Sequence, residues 1–194
     1  MDLQPEVSLR RFRELGVHDI DEMLNPYRQL GVFHDLEMGL VGREEFVARL
    51  NEHAGTALTD KEVNEAIMLF LKGVPQYKFD YLEQLREQYK IYILSNTNPY
   101  IMAYAHSPHF LPATGRTLSD YVDKVYASCE MQTMKPDRAI YEQMIADSGM
   151  VPEHTLFIDD STANLEAAAA LGLQTLLAVN ATDWRPALSA RLAN

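Results

Sequence analysis

The segment from Thr155 to Gly172, TLFIDDSTANLEAAAALG, places a pair of acids between a strand and a helix. Its first four residues favour β structure and carry no charge, which predicts a short buried strand. Asp159 and Asp160 follow where that strand ends, and Ser161 or the threonine after it can cap the helix that runs to the end of the segment. A strand that delivers acids to its carboxyl end, just before a helix, is typical of ligand sites in open α/β sheets.

The acid pair itself predicts a magnesium site. Neighbouring carboxylates such as Asp159 and Asp160 repel each other unless a cation lies between them, and a ligand set made of oxygen alone suits Mg²⁺. By itself the pair is explained equally well as a solvated acidic turn, so the rest of the chain has to decide between the two.

The hydrophobic pattern divides the chain near Pro75. Residues 6–75 show helical patterns only, including the capping-box sequence that begins at Thr59, and they predict a small helical bundle. After Pro75, strands alternate with helices, which predicts an α/β fold with a Rossmann-like parallel sheet and helices on both faces over residues 76–194. The predicted strands are Ile91–Leu94, Lys124–Ser128, Thr155–Ile158 and Thr175–Val179.

Composition excludes several classes of partner. Seventeen basic residues against 28 acidic ones give a net charge of −11, which argues against nucleic acid or an anionic membrane as the main partner. The single cysteine, Cys129, excludes an internal disulfide, and no stretch approaches the length of a membrane span. A cytoplasmic protein is the expectation, and the oligomeric state is left open.

Three short polar stretches follow predicted strands and have complementary chemistry. Ser95 and Asn96 can bind phosphate oxygens, and Lys135, at the predicted start of a helix over 136–148, supplies a cation and a favourable helix dipole for the same phosphate. Asp159 and Asp160 would hold the divalent cation. Because the carboxyl ends of parallel strands meet at one edge of a sheet, these residues together predict a phosphate site.

The segments ILSNTN, MKPDRAIYE and LFIDDSTANLEAAAALG resemble motifs II, III and IV of the haloacid dehalogenase (HAD) superfamily of phosphohydrolases. The likeness is to its sugar-phosphatase-like branch, which includes a bacterial α-D-glucose-1-phosphate phosphatase. The segment FHDLEMGLVGREEF resembles the cap of that branch. The resemblance implies that residues 6–75 form a helical cap on a HAD core and that residues 1–5 are a remnant of the preceding linker.

The resemblance also implies a role for each site residue. Ser95 binds the transferred phosphoryl group with help from Asn96, and Lys135 stabilises charge on that group and on the nucleophile. Asp160 is a direct Mg²⁺ ligand, whereas Asp159 is a ligand or a partner through water. The implied substrate is a small phosphorylated metabolite, with a sugar phosphate favoured.

The first motif of the family, an apolar strand ending in a nucleophilic aspartate, is not found in these 194 residues. The opening segment MDLQPEVSLRRF resembles what relatives carry just after that motif. We therefore expect the chain to begin downstream of its nucleophile, to lack the first core strand and to be inactive as written. The leading hypothesis is a Mg²⁺-dependent phosphatase that works through an aspartyl-phosphate.

Other functions use similar residues. A non-catalytic phospho-ligand-binding or regulatory protein of the same fold would keep Ser95, Lys135 and the acid pair for binding alone. A phospho-receiver domain has its acid pair early and its lysine late, the reverse of the order here. The dehalogenases of the superfamily need no metal, and the pair Asp159–Asp160 disfavours them.

A few further residues are candidates with weaker support. Tyr27, Arg28 and Glu37 in the predicted cap are candidates for contact with the substrate. Asn164 stands where many relatives carry a further acid, which puts a metal-binding role in doubt. Cys129 is expected to be a small buried residue and not a nucleophile.

Overall fold

The computed structural model describes residues 2–25, 28–179 and 182–192 of the chain. Within them the α-helices are α1 Pro5–Glu14, α2 Ile20–Met23, α3 Gly31–Glu37, α4 Arg43–Ala54, α5 Asp60–Met68, α6 Gln76–Arg86, α7 Pro99–Ala105, α8 Ser128–Met131, α9 Arg138–Ser148, α10 Thr162–Ala169 and α11 Arg185–Leu192. The strands are β1 Asp2–Leu3, β2 Leu24–Asn25, β3 Arg28–Gln29, β4 Leu71–Gly73, β5 Tyr92–Ser95, β6 Lys124–Ala127, β7 Leu156–Asp159 and β8 Gln174–Leu177. None of these helices is long and apolar enough to cross a membrane.

The chain forms two compact units, Met1–Gln132 and Thr133–Asn194. The first unit contains all of the predicted cap together with β5 and β6, and the second contains β7, β8 and the helices beside them. The predicted domain boundary between residues 75 and 76 stays a prediction.

A row of aromatic rings forms the centre of the helical part of the first unit. Phe12 on α1 meets Phe33 on α3 edge to face at 5.6 Å, and Phe33 meets Phe46 on α4 in the same way at 5.0 Å. Phe46 in turn lies 6.2 Å from the ring of Tyr100 on α7. Full burial of each such ring contributes about 1.5–3 kcal/mol, so this core stabilises the bundle and attaches α7 to it.

Tyr100 also ties α7 to the bundle through polar contacts. Its hydroxyl donates to Oδ1 of Asp60 at 2.8 Å, and the Arg43 guanidinium lies 4.2 Å from the centroid of its ring. Arg43 pairs with Asp60, and this hydrogen-bonded pairing lowers the pKa of the Asp60 carboxyl below its ordinary value. The buried start of α7, which follows the Ser95–Asn96 stretch, is thereby fixed in place.

The prediction of helices alone before residue 75 is wrong at two places. β1 pairs antiparallel with β4, and β2 with β3. Strands of two or three residues are too short to show an alternating pattern, and the β1–β4 pair is extended by the Gln4 N–H donating to the carbonyl of Phe70 at 2.8 Å. Within the stretch of helical patterns, α3 begins at Gly31, and Tyr27 lies outside the described residues. The capping box at Thr59 and Glu62 is confirmed.

Two parallel strand pairs carry the candidate site residues. In the first unit β5 pairs with β6, which places Ser95 opposite Ala127 at the carboxyl end of both strands. In the second unit β7 pairs with β8, which places Asp159 opposite Leu177. Helix α10 packs on both strands of the second pair, and Tyr141 on α9 meets Phe157 of β7 edge to face. The predicted α/β fold with parallel strands is confirmed.

Candidate active site

Ser95 and Asn96 lie at the carboxyl end of β5. Ser95 is the last residue of the strand and Asn96 begins the loop that leads to α7. Both residues are half-buried, so each keeps part of its surface accessible. The carboxyl end of a parallel strand is the position that α/β folds use for binding small ligands.

The loop after Asn96 is held by two side chains that sequence reasoning missed. The buried Ser128 hydroxyl accepts from the Thr97 N–H at 2.9 Å and donates to the Thr97 carbonyl at 3.0 Å. Asn98 caps α7, since its side-chain oxygen accepts from the N–H groups of Tyr100 and Ile101. An Asn before Pro at a helix start is a recognisable capping signal, whereas nothing near Ser128 in sequence indicates its partner.

Replacing Ser128 by alanine is expected to lower the free energy of unfolding by about 1–3 kcal/mol. The change leaves the N–H and carbonyl of buried Thr97 without their shared partner, and an unsatisfied buried polar group costs about that much. Urea denaturation measures the effect, with Ser119→Ala as the control because the Ser119 hydroxyl is exposed. Equal stability of the Ser128→Ala and Ser119→Ala variants would show that the hydrogen bonds between Ser128 and Thr97 contribute nothing to the free energy of unfolding.

In the second unit Lys135 and Asp159 form a buried ion pair. The Lys135 Nζ lies 2.7 Å from Oδ2 of Asp159, and the two side chains are 11% and 6% exposed. The other oxygen of Asp159 accepts from the Ser161 N–H and from the side-chain amide of Asn164, each at 2.9 Å. Both carboxylate oxygens therefore have protein partners.

Asp160 is different from its neighbour. Its side chain is exposed, and within the part of the chain that the structure describes no hydrogen bond or ion pair engages its carboxylate. A hard oxygen donor that is open to solvent suits Mg²⁺, which usually keeps several waters and takes one or two carboxylates. Among the described residues no group of three or more His, Cys, Asp or Glu side chains could hold a metal. A cation at Asp160 therefore needs further oxygen ligands, which backbone carbonyls, a bound phosphate or water can supply.

The prediction that Lys135 stands at the start of a helix is wrong. Helix α9 begins at Arg138 and its N-cap is Asp137. The N–H of Asp137 donates to the carbonyl of Met134 at 2.9 Å, so Lys135 and Pro136 form a turn ahead of the helix. The side chain of Lys135 contacts Asp159, and its Nζ lies 5.7 Å from the centroid of the Phe157 ring.

The structure describes the side chain of only one of the three candidate substrate contacts in the predicted cap. Tyr27 and the side chain of Arg28 lie outside the described residues. Glu37, the last residue of α3, is half-buried, and burial raises the pKa of its carboxyl to about 7. Cys129 is half-buried as well. Burial, followed by the nearby carboxylates of Glu130 and Glu37, raises the pKa of its thiol to about 11, which makes it a poor nucleophile at neutral pH.

The structure brings Ser95 and Asn96 together in the first unit, and Lys135, Asp159 and Asp160 in the second. A family model described as haloacid dehalogenase-like hydrolase matches residues 8–172. The chain belongs to the haloacid dehalogenase-like hydrolases. The resemblance in the sequence and the prediction of a hydrolase are thereby confirmed.

Two curated relatives of the chain have names that state activity on phosphate esters. A D-ribitol-5-phosphate phosphatase of Bacteroides thetaiotaomicron is 38% identical over 189 residues, which cover 97% of this chain and 91% of that protein. A pyrimidine 5′-nucleotidase of Streptococcus pneumoniae is 29% identical, over 90% of this chain and 76% of that protein.

Solved structures agree with the family assignment. A HAD-like family hydrolase from Porphyromonas gingivalis superposes with a TM-score of 0.95 at 47% identity, over 100% of this chain and 93% of that one. A HAD family enzyme from B. thetaiotaomicron, an aspartate-to-alanine variant in complex with magnesium and inorganic phosphate, superposes with a TM-score of 0.91 at 33% identity. That match covers 96% of this chain and 92% of that one.

Proposed function

We propose that this hydrolase is a Mg²⁺-dependent phosphatase of a small phosphorylated metabolite, a polyol or sugar phosphate. The observation that carries the proposal is the contrast between the two adjacent acids. Asp159 forms an ion pair with the buried Lys135, whereas the exposed carboxylate of Asp160 is available to a cation. A cation ligand beside a buried positive charge is the arrangement that phosphoryl transfer needs, since its catalysis depends on positioning and charge neutralisation.

Each residue has a role in the proposed reaction. The Ser95 hydroxyl and Asn96 bind oxygens of the phosphoryl group, and the Lys135 ammonium offsets their negative charge. Asp159 holds that ammonium in position through the 2.7 Å contact. Asp160 is the ligand for Mg²⁺, which when bound neutralises further charge on the phosphate.

The chemical step in this proposal is attack of an aspartate on phosphorus. It gives an aspartyl-phosphate and releases the alcohol, and water then hydrolyses the acyl phosphate to regenerate the carboxylate. The motif that carries this aspartate in the family is not among the 194 residues. Assays therefore compare this chain with an extended chain, which we define as the same residues preceded by an apolar strand ending in aspartate.

A second candidate is a non-catalytic phospho-ligand-binding protein. It needs only the binding residues, and the aspartate-to-alanine variant of the B. thetaiotaomicron enzyme is itself in complex with magnesium and phosphate. In this case the present chain binds phosphate with Mg²⁺, and the extended chain binds it without turnover.

Phosphate release from a panel of phosphomonoesters discriminates between the two candidates. The panel contains D-ribitol 5-phosphate, hexose phosphates, a pyrimidine 5′-nucleotide and an aryl phosphate, each with Mg²⁺. We expect the extended chain to release phosphate with the highest kcat/KM on a polyol or sugar phosphate. An extended chain that binds phosphate and releases none from any ester would favour the binding protein. A preference for the nucleotide would overturn the substrate class.

A further inference from the structure

Asn164, in the first turn of α10, donates a hydrogen bond to the buried acid of the ion pair. Its side-chain Nδ2 lies 2.9 Å from Oδ1 of Asp159, and the other carboxylate oxygen of Asp159 contacts Lys135. Because an ionised carboxylate only accepts hydrogen bonds, the amide nitrogen of Asn164 and not its oxygen has to face Asp159. A hydrogen bond to an ionised group is among the stronger ones in proteins, so this contact fixes the carboxylate firmly.

The backbone of Asn164 is itself held from two sides. Its N–H donates to the Ser161 hydroxyl at 3.4 Å, and its carbonyl accepts from the Tyr141 hydroxyl at 3.0 Å. Tyr141 on α9 is fully buried, and its ring packs edge to face on Phe157 of β7 with 5.6 Å between the ring centroids. A ring fixed in this way places its hydroxyl at one point, so α9 helps to hold the start of α10 in position.

These contacts form a continuous path from Tyr141 through Asn164 and Asp159 to the ammonium of Lys135. The last torsion of an aspartate side chain has broad preferences, so one ion pair alone leaves the carboxylate free to turn. The Asp159 side chain is only 6% exposed, so water has little access to replace a missing donor. The Ser161 N–H shares Oδ1 with Asn164, and Asn164 is therefore one of two groups that set the orientation of the carboxylate.

We propose that Asn164 is a positioning residue for the phosphate site, because its amide holds Asp159 in the orientation that places the Lys135 ammonium. This inference rests on the proposed phosphatase function, which assigns Lys135 to the phosphoryl group. Asn164 touches neither the phosphate nor the metal in this account. The role requires a hydrogen-bond donor without a negative charge, which is what an asparagine supplies beside a carboxylate.

Asn164→Asp is the variant that separates this role from two others. Aspartate has nearly the shape of asparagine, so a role in packing alone would survive the change. Aspartate has no N–H, and its charge repels the neighbouring carboxylate of Asp159, so a positioning role is lost. If position 164 instead supplied an oxygen ligand to Mg²⁺, a carboxylate there would tighten Mg²⁺ binding, since Mg²⁺ prefers carboxylates.

Calorimetry of inorganic phosphate binding to the 194-residue chain with Mg²⁺ measures the effect without requiring turnover. We expect Asn164→Asp and Asn164→Ala each to weaken phosphate about 10-fold, and Tyr141→Phe, which acts one step further away, about 2- to 3-fold. The control is Glu166→Ala, an exposed residue on the same helix, which is expected to leave phosphate affinity unchanged. Mg²⁺ affinity is measured on the same variants.

NMR of the chain without ligand gives a second measurement that a general loss of stability does not imitate. The ¹³Cε and ¹Hε signals of Lys135 are expected to shift in Asn164→Asp and Asn164→Ala, because the ammonium then has a differently oriented partner. The signals of Lys90, which is 76% exposed, are expected to stay unchanged.

The outcomes separate this inference from the proposed function. Unchanged phosphate affinity in both Asn164 variants, or a loss in Asn164→Ala that Asn164→Asp does not share, overturns the positioning role while the phosphate site stands. Tighter Mg²⁺ binding by Asn164→Asp with unchanged phosphate affinity would make position 164 a metal ligand instead. Failure of the unaltered chain to bind phosphate overturns the proposed function, and in that case unchanged Lys135 signals overturn the inference as well. Tyr141→Phe and Asn164→Ala carry the comparison if Asn164→Asp does not fold.

Discussion

Replacing Lys135 by methionine is expected to lower the free energy of unfolding by about 3–5 kcal/mol, near the lower end of that range. The substitution keeps the length of the side chain and removes its charge, which leaves the carboxylate of Asp159 buried without a cation. The two remaining donors to Asp159, the Ser161 N–H and the Asn164 amide, moderate the loss.

A double-mutant cycle in urea isolates the pair. The cycle compares Lys135→Met, Asp159→Asn and the double variant, and the double variant is expected to be more stable than Lys135→Met alone because no unpaired charge is left. The control cycle uses Lys90 and Asp123, a pair in which the lysine is 76% exposed, where about 0–1 kcal/mol is expected. Additive effects at Lys135 and Asp159 would contradict the contact in the structure.

Replacing Asp160 by asparagine is expected to weaken Mg²⁺ binding by about 100-fold or more, and Asp159→Asn by about 10- to 100-fold. The two losses differ because the surroundings of the two acids differ. The exposed carboxylate of Asp160 is the proposed direct ligand, whereas Asp159 is paired with Lys135 and acts on the metal through its neighbours. Removal of an indirect partner typically costs 10- to 100-fold in metal affinity, and loss of a direct ligand costs at least as much.

A calorimetric titration of Mg²⁺ into each variant at saturating inorganic phosphate measures both losses of Mg²⁺ affinity. Asp137→Asn is the control, since Asp137 is an exposed acid outside the proposed site. A larger loss for Asp159 than for Asp160 would reverse their roles. Unchanged Mg²⁺ affinity in both variants would show that the metal does not bind at this end of β7.

Local sequence patterns were sufficient for much of the fold. The capping signals at Thr59 and Ser161 locate the starts of α5 and α10, since such caps depend on neighbours within four residues. The uncharged run before Asp159 locates β7 to within one residue. The acid pair and Lys135 are predicted as site residues in the same way, because their residue types and positions after strands indicate their chemistry.

Two of the features that sequence reasoning missed depend on contacts between distant residues. Ser128 and Thr97 are 31 positions apart, and Lys135 and Asp159 are 24 apart. No local sequence pattern predicts either contact. The same reason explains much of the difference between Asp159 and Asp160, since the ion pair with Lys135 that distinguishes Asp159 joins residues 24 positions apart.

The most direct test of the central claim is phosphate release from D-ribitol 5-phosphate by the extended chain, measured with Mg²⁺ and again after chelation with EDTA. The account predicts release that requires Mg²⁺ and that falls by about 10²–10³ in kcat when Lys135 is replaced by alanine. Release that continues unchanged in EDTA, or that is indifferent to the loss of Lys135, would contradict it.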